Sequence, residues 1–540
     1  MSDRDLVRVT MCYEKGHLDK VRHTRIIFAW LRAFLGEGAM ESAPSIHAMV
    51  RSLFRKGKFS SQSHNPAASL MVQRGFCLNR ERHIVGRIPG VSVGDAFLYQ
   101  AELVVLGLHR CFQGGISYAK STSSSTEPGE SVATSIIVSG GYEDNLDDGD
   151  KLIYSGEGGR HSILNKQVAD QCLEGGNLAL KNSMEYGIEV RVFRGIKAGV
   201  QHKVIYIYDG LYKVESCKAE QGKSGFVVYK FALRRLPGQG ALPSMKLKAD
   251  LLALRNENFH DLSNGLERLP IGFYNDVDDC VYPLRFGYLR QPVYPAAVFQ
   301  WKFGGCSCTG GCSAAAGSRC RCVWWNGGEL PYDKSGVLLH GKPLVYECGP
   351  HCRCPPTCAN RVSQKGITSR LQVFRSRETR SWGVRSLDFI RAGTFVCELT
   401  GRAIALPETH QRRHLEKMAG TGLDQVSDPV LMFPGMLPPS WAKWGNNISG
   451  VIPRYKPPVV MGVPDVRCFV MDMTVGRNVG CYLSDSPNPN VFAQFVLFDH
   501  YNLAWPHVMI FALEDIPPLK ELGLDYGYGR NTNCDYRMKG

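Results

Sequence analysis

Residues 306–358 read CSCTGGCSAAAGSRCRCVWWNGGELPYDKSGVLLHGKPLVYECGPHCRCPPTC. The stretch carries nine cysteines, Cys306, Cys308, Cys312, Cys320, Cys322, Cys348, Cys352, Cys354 and Cys358, spaced CxCxxxC…CxC and then CxxxCxCxxxC. Gly, Ala and Ser around Ala314, followed by Trp324, Trp325 and a polar loop to Lys342, cannot bury enough apolar surface to fold unaided. The thiols must therefore be tied by disulfides or by metal. An odd number of cysteines and an N-terminus (MSDRDLVRVT) without an apolar signal core argue against a secreted disulfide knot. Zinc thiolate sites are four-coordinate. Three ions need twelve sulfur contacts, which nine thiolates supply if three of them bridge. Such a trinuclear zinc cluster would carry a net charge of minus three, which suits the nearby Arg319, Arg321, Arg353 and Arg361.

With this spacing the stretch resembles the pre-SET domain of histone lysine methyltransferases of the suppressor-of-variegation class. A pre-SET module props up a SET domain placed directly after it, so the resemblance implies one downstream.

The remaining composition sets the frame. A chain of 540 residues suggests three or four domains, and 44% hydrophobic residues is ordinary for globular protein. No apolar run reaches membrane-spanning length. A net charge of +14 points toward a polyanion, most commonly nucleic acid. The chain is expected to be intracellular, with its other ten cysteines reduced.

Residues 4–35 show apolar side chains at helical spacing (Leu6, Val9, Tyr13, Ile26, Ile27, Trp30, Leu31, Phe34), stopped at Gly36 and Gly38. A second apolar stretch, 46–54, predicts a helical hairpin, after which Arg51, Arg55, Lys56 and Lys58 lead into a polar linker. From Gly86 short β-rich runs alternate with glycine turns: GRIPGVSVGDAF, ELVVLGLH, SIIVSGGYEDN, KLIYSGEGG, EVRVFRG, KVIYIYDGLYKV and FVVYKFALRR. Seven such pieces predict a curved sheet or barrel. Their ordered set, with Pro89-Gly90, Val93-Gly94-Asp95, Gly107-Leu108-His109, Gly140-Gly141-Tyr142-Glu143-Asp144, Gly176-Asn177, Arg194-Gly195 and Tyr208-Asp209-Gly210, resembles the SRA domain, a reader of methylated cytosine. Reading a methylated base selectively requires taking it out of the stack, which costs a few kcal/mol. Stacking between rings returns about 1–3 kcal/mol per face. The resemblance implies that Tyr142 and Tyr154 sandwich the base and that Asp144 accepts from the cytosine amino group. Gln113 would fill the gap left in the duplex. Residues 121–130, STSSSTEPGE, predict a flexible loop beside the DNA-facing side. Further on, Asn275 to Asp279 with Tyr282-Pro283 resembles the acidic entry of the pre-SET region.

After Cys358 the chain reads ANRVSQKGITSRLQVFRS and SWGVRSLDFIRAGTFVCELTGRAI, similar to the opening of a SET domain. Trp382-Gly383-Val384-Arg385 matches the motif that approaches S-adenosylmethionine, and Asp472, Asn478, Pro489-Asn490 and Asp525-Tyr526-Gly527-Tyr528 continue the pattern. The family's Arg-Phe-Ile-Asn-His-Ser-Cys-x-Pro-Asn run is altered, however. Ser484 stands in place of the cofactor-binding Asn, Asp485 in place of His and Pro487 in place of the last Cys. Leu399 replaces the tyrosine that follows the glutamate of the early strand. The tail NTNCDYRMKG offers Cys534 alone where a post-SET CxCxxxxC would close a further zinc site. Tyr526 matches the catalytic tyrosine, which cannot work without a held methyl donor.

These readings predict an α+β multidomain chain. It runs from an N-terminal helical hairpin and linker (1–75) through a barrel-like SRA domain (76–240) and a connector (241–300) to the trinuclear zinc pre-SET module (301–362). A degenerate SET domain with an irregular insert over 426–464 follows (363–530), then a tail (531–540). The combination resembles a subgroup of the plant suppressor-of-variegation homologues. That resemblance implies a nuclear, chromatin-bound protein that binds methylated DNA and does not hold S-adenosylmethionine. It implies partners in chromatin remodelling and RNA polymerase V recruitment, with histone as a further partner, in RNA-directed DNA methylation. The alternative is an active histone H3 lysine methyltransferase.

Overall fold

The computed structural model describes residues 6–8, 15–35, 66–80, 83–120, 131–139, 146–161, 166–198, 203–253, 260–280, 286–300, 304–314, 319–405 and 469–526. Tyr142, Asp144, the 46–54 stretch, the 121–130 loop and the 426–464 insert lie outside them. The chain divides into two compact units, one of residues 1–28 with 64–257 and one of residues 29–63 with 258–540.

The expected first helix is shorter than the 4–35 pattern suggests. It runs over Lys15–Leu35, whereas Leu6–Arg8 is a strand pairing in parallel with His83–Val85. The β-branched LVRV run suits an extended edge better than a helix. Within the helix Val21, Thr24, Ile27, Phe28 and Leu31 recur every three or four residues and are buried. From Ala29 on the helix belongs to the second unit.

The first unit is built on a mixed sheet. Its strand order is Ile116–Lys120, Ser131–Val138, Val190–Ala198, Lys203–Gln221, Val227–Arg235, Lys151–Ser155 and Leu146–Asp147, with Ala96–Phe97 added against Lys203–Gln221. The two end strands do not pair with each other among the described residues, so the sheet is curved and open, not a closed barrel. Register shifts at Ser117/Tyr118, Val192/Phe193 and Val214/Ser216 supply the bending, because a bulge sharpens local twist. Helix Gly175–Glu185 lies on Ser131–Val138. Its buried Ser183 Oγ accepts from Ala133 N at 2.8 Å, and Asn182 Nδ2 donates to Ser131 O at 2.9 Å. The run ELVVLGLH, expected as a strand, is instead helix Gln100–Val105. A short apolar run does not distinguish buried helix from buried strand by period alone, and here Glu102 anchors the turn by accepting from Leu98 N and pairing with Arg25.

The second unit is a set of small sheets around one core. A four-stranded sheet runs in the order Val345–Tyr346, Val491–Leu497, His507–Ala512, Phe395–Glu398. A three-stranded sheet joins Gly272–Tyr274, Leu371–Arg375 and Trp382–Ser386. Two-stranded pairs complete it, among them Arg402–Ala405 with Phe469–Asp472 and Ser484–Asp485 with Gly523–Leu524. Ile271, Leu371, Val396, Phe469, Val491 and Ile510 share the core. The acidic entry is a turn in which Asn275 Nδ2 donates to Asp278 and Cys280 O, and it is tied to the sheet by Asp278–Arg375 at 3.0 Å.

Candidate nucleic-acid interface and metal centre

In the first unit the loop carrying Gln113 is pinned from beneath. His109 is buried, with Nδ1 2.9 Å from Ser135 Oγ and Nε2 2.9 Å from Gly114 O. Burial pushes its imidazole down to about 4, so the ring is neutral near neutral pH. Gln100 Nε2 donates to both Cys111 O and Gly114 O at 2.9 Å. Arg110 N donates to Ser117 Oγ, and Arg110 Nη2 donates to Asn79 O. Backbone polar groups that would otherwise need water are thereby satisfied, and the exposed Gln113 projects from a fixed base.

Tyr154 lies in strand Lys151–Ser155, opposite Phe231, and is only 3% exposed. Its hydroxyl lies against Gly115, where an added Cβ would approach to 2.5 Å. The structure therefore brings Tyr154 to the loop of Gln113, whereas Tyr142 and Asp144 fall outside the described residues. Beside them Asn177 holds the turn after Tyr154, accepting from Glu157 N at 2.8 Å and donating to Glu157 O and Cys172 O.

The Tyr208-Asp209-Gly210 motif turns inward. Asp209, 0% exposed, accepts from Arg194 Nη1 at 2.7 Å and from Ser244 N at 3.0 Å. Arg194 also forks onto Asp147 at 2.7 and 2.8 Å and donates to Gly149 O and Tyr212 Oη. Gly210 sits at φ +108°, with Gln239 where a side chain would go. The motif is thus a lock joining the long strand to the edge of the sheet. These partners of Asp209 and Arg194 were not visible from sequence, although the motif itself was.

In the second unit the nine cysteines collapse into one cluster, all buried except the half-buried Cys308. None forms a disulfide. Sγ separations of 3.5 Å (Cys306–Cys312), 3.4 Å (Cys312–Cys348), 3.5 Å (Cys320–Cys312) and 3.6 Å (Cys322–Cys352) far exceed an S–S bond of about 2.05 Å. They approach the roughly 3.8 Å between two sulfurs on one tetrahedral zinc. Three groups of four have sulfurs within 4.8 Å of one another: Cys306, Cys348, Cys352, Cys354; Cys306, Cys308, Cys312, Cys320; and Cys312, Cys348, Cys354, Cys358. Cys306, Cys312, Cys348 and Cys354 each fall in two groups, as bridging thiolates would, and Cys322 falls in none of them, its Sγ 3.6 Å from that of Cys352. Left to themselves these thiols cannot all ionise. Hydrogen bonding to Cys320, Cys348 and Cys358 pushes Cys312 up, whereas bonds from Cys312 hold Cys320 and Cys358 down. The donor set therefore fits metal. Arg361 reaches over it, with Nη2 3.6 Å from Cys354 Sγ and 2.9 Å from Gly349 O.

The segment matching the cofactor region is closely packed by neighbouring side chains at Gly383. Strand Trp382–Ser386 pairs antiparallel with Leu371–Arg375, and a Cβ on Gly383 would lie 2.8 Å from Glu521 Oε1 and 3.2 Å from the Phe374 ring. Asn478 accepts from Gly480 N and donates to Glu398 O, and Asn490 donates to Glu521 O and accepts from Gly523 N. These two asparagines hold the crossing of the segments around Ser484 and Gly523. Asp485, in the place of the family's histidine, accepts from Tyr526 N at 3.2 Å, and the Tyr526 hydroxyl donates to Leu483 O at 3.1 Å.

Family models match in the same order along the chain: the SAD/SRA domain at residues 84–239, the Pre-SET motif at 263–361 and the SET domain at 381–527. Among curated proteins, the Arabidopsis thaliana histone-lysine N-methyltransferase family member SUVH9 is 43% identical over 98% of this chain and 79% of its own length. Family member SUVH2 of the same plant is 42% identical with the same coverage. The crystal structure of SUVH9 superposes with a TM-score of 0.76 at 40% identity, covering 95% of this chain and 99% of that one. A structure of KRYPTONITE in complex with mCHH DNA, H3(1-15) peptide and SAH gives a TM-score of 0.72 at 31% identity, over 95% of this chain and 93% of that one. Carrying SRA, pre-SET and SET domains, the chain belongs to the SUVH family of histone-lysine methyltransferase homologues.

Proposed function

We propose that this chain is a methylated-DNA-binding chromatin protein whose SET domain serves as a scaffold. The observation that carries the reading is Asp485. Its carboxylate occupies the family's histidine position and is used to hold Tyr526 N, while Ser484 replaces the asparagine and the Tyr526 hydroxyl is engaged by Leu483 O. The Asp485 carboxylate and the Tyr526 hydroxyl are thus both spent on main-chain partners. On the DNA side, Gln113 stands on a loop fixed by His109 and Gln100, next to Tyr154. Tyr142 and Tyr154 would stack on the extruded cytosine and Asp144 would accept from its amino group. Because Tyr154 is covered here, admitting a base requires its neighbours to move aside.

In this proposal the nine cysteines hold three zinc ions, which supply folding energy to the centre of the second unit. The protein acts in the nucleus, in gene silencing and RNA-directed DNA methylation, bringing the RNA polymerase V machinery and its chromatin-remodelling partners to methylated loci. The second reading, an active histone H3 lysine methyltransferase, is favoured by the family's names and by relatives solved with SAH and an H3 peptide. Two measurements separate the readings: calorimetry with S-adenosylmethionine, and transfer of labelled methyl groups to an H3 peptide. Absence of both, with preferential binding of methylated over unmethylated duplex, is the expected result. Micromolar cofactor binding with methyl transfer would replace the scaffold reading with the enzyme.

A further inference from the structure

We propose that the second unit holds another metal site, for a single divalent cation of the zinc class, formed by Asp499, His500 and His507 and separate from the cysteine cluster. The first two residues follow strand Val491–Leu497 and the third opens strand His507–Ala512, so the hairpin between two paired core strands brings them together. One ligand atom from each lies within 4.8 Å of the other two. His507 Nε2 is 2.8 Å from Asp499 Oδ1, and His500 Nε2 is 3.9 Å from the same oxygen.

Three observations point to a cation. His500 is 1% exposed, and its Nε2 is a buried atom with no hydrogen-bond partner, directed at Asp499 from beyond hydrogen-bonding range. An ion between them would satisfy it. His507 is oriented from behind, because its Nδ1 lies 2.7 Å from Glu398 Oε1. A carboxylate on one ring nitrogen with the other facing the metal is the usual way a ligating histidine is held. The surroundings also leave negative charge uncompensated. Phe498 stacks on His507 at 4.2 Å, and Tyr294 stands edge-on to His500 and His507 at 5.3 and 5.4 Å. Here two carboxylates, two neutral imidazoles and one dication sum to zero, whereas a lone imidazolium leaves one negative charge over.

Two imidazoles and a carboxylate suit zinc, with water in the fourth position. Asp499, with 25% of its side chain exposed, gives the route in, since the His500 and His507 side chains are 0% and 1% exposed. Coordination through Nε2 places the His500 proton on Nδ1 and gives up the 3.3 Å contact from Asn502 N.

The test is zinc content of the full-length protein by mass spectrometry, with X-ray absorption at the zinc edge. His500→Gln and Asp499→Asn are each expected to hold one zinc fewer per chain than the unsubstituted protein. The unsubstituted protein is expected to show nitrogen or oxygen scatterers at about 2.0–2.1 Å besides sulfur at about 2.3 Å. Equal zinc in the unsubstituted protein and a folded variant overturns the proposal. Should neither variant fold, a first shell of sulfur alone in the unsubstituted protein overturns it equally.

Discussion

Replacing Asp209 by alanine tests whether the Tyr-Asp-Gly motif is a lock or part of a binding pocket. The substitution removes the acceptor of Arg194 Nη1 at 2.7 Å and of Ser244 N at 3.0 Å, both in the interior. Breaking a buried ion pair costs about 3–5 kcal/mol. Arg194 keeps its fork on Asp147 at 2.7 and 2.8 Å, which places that loss at the lower end. The orphaned Ser244 N–H adds about 1 kcal/mol, giving about 4 kcal/mol in all. For a unit of this size each kcal/mol lowers Tm by about 2–4 °C, so a fall of about 8–16 °C is expected. Amide hydrogen exchange should locate the lost protection in strands Val190–Ala198 and Lys203–Gln221, which meet at this lock. Binding of methylated duplex, measured well below the new midpoint, should be nearly unchanged. A Tm within about 2 °C of the parent, or lost binding without lost stability, would refute the reasoning.

Gln113→Ala, at an exposed position on a rigid loop, should weaken methylated-duplex binding severalfold by fluorescence anisotropy while moving stability by less than about 0.5 kcal/mol. His109 titrates at about 4 when folded, against about 6.5 unfolded. Its stabilising contribution is therefore complete above about pH 6.5 and is lost as pH falls toward 4, by about 1.4 kcal/mol per pH unit and about 3 kcal/mol in total. Melting curves at pH 7 and pH 5 should show that slope in the parent and a flatter one in His109→Asn. Cys312→Ser, at a sulfur shared by two of the four-cysteine groups, should release more zinc and unfold more of the second unit than Cys308→Ser, which belongs to one. Equal losses, read by metal analysis and circular dichroism, would contradict bridging.

The cysteine cluster was legible because it depends on local spacing. Nine cysteines at CxC and CxxxC intervals must meet once the chain turns back, so the cluster could be read without coordinates, as could the order of the domains. Short apolar runs were less legible. ELVVLGLH has the composition of a strand, yet its first half, Glu102 to Val105, is helical, and Glu102 finds Arg25 across a sequence gap of 77 residues. Leu6–Arg8 falls within a helical period and is a strand, since His83–Val85 offers it a partner.

What the sequence determined by itself was chemistry carried by residue identity: thiol count, the Gly-turn signature of the first unit, and the Ser484, Asp485 and Pro487 departures. What only the tertiary structure decided was which side chains face each other. Asp209 turns to Arg194 and Glu398 to His507, each across a gap that no periodicity spans. The physical reason is that side-chain period reports which face of an element is apolar. The partner of a buried charge is set by how distant strands cross, and only the folded chain specifies that.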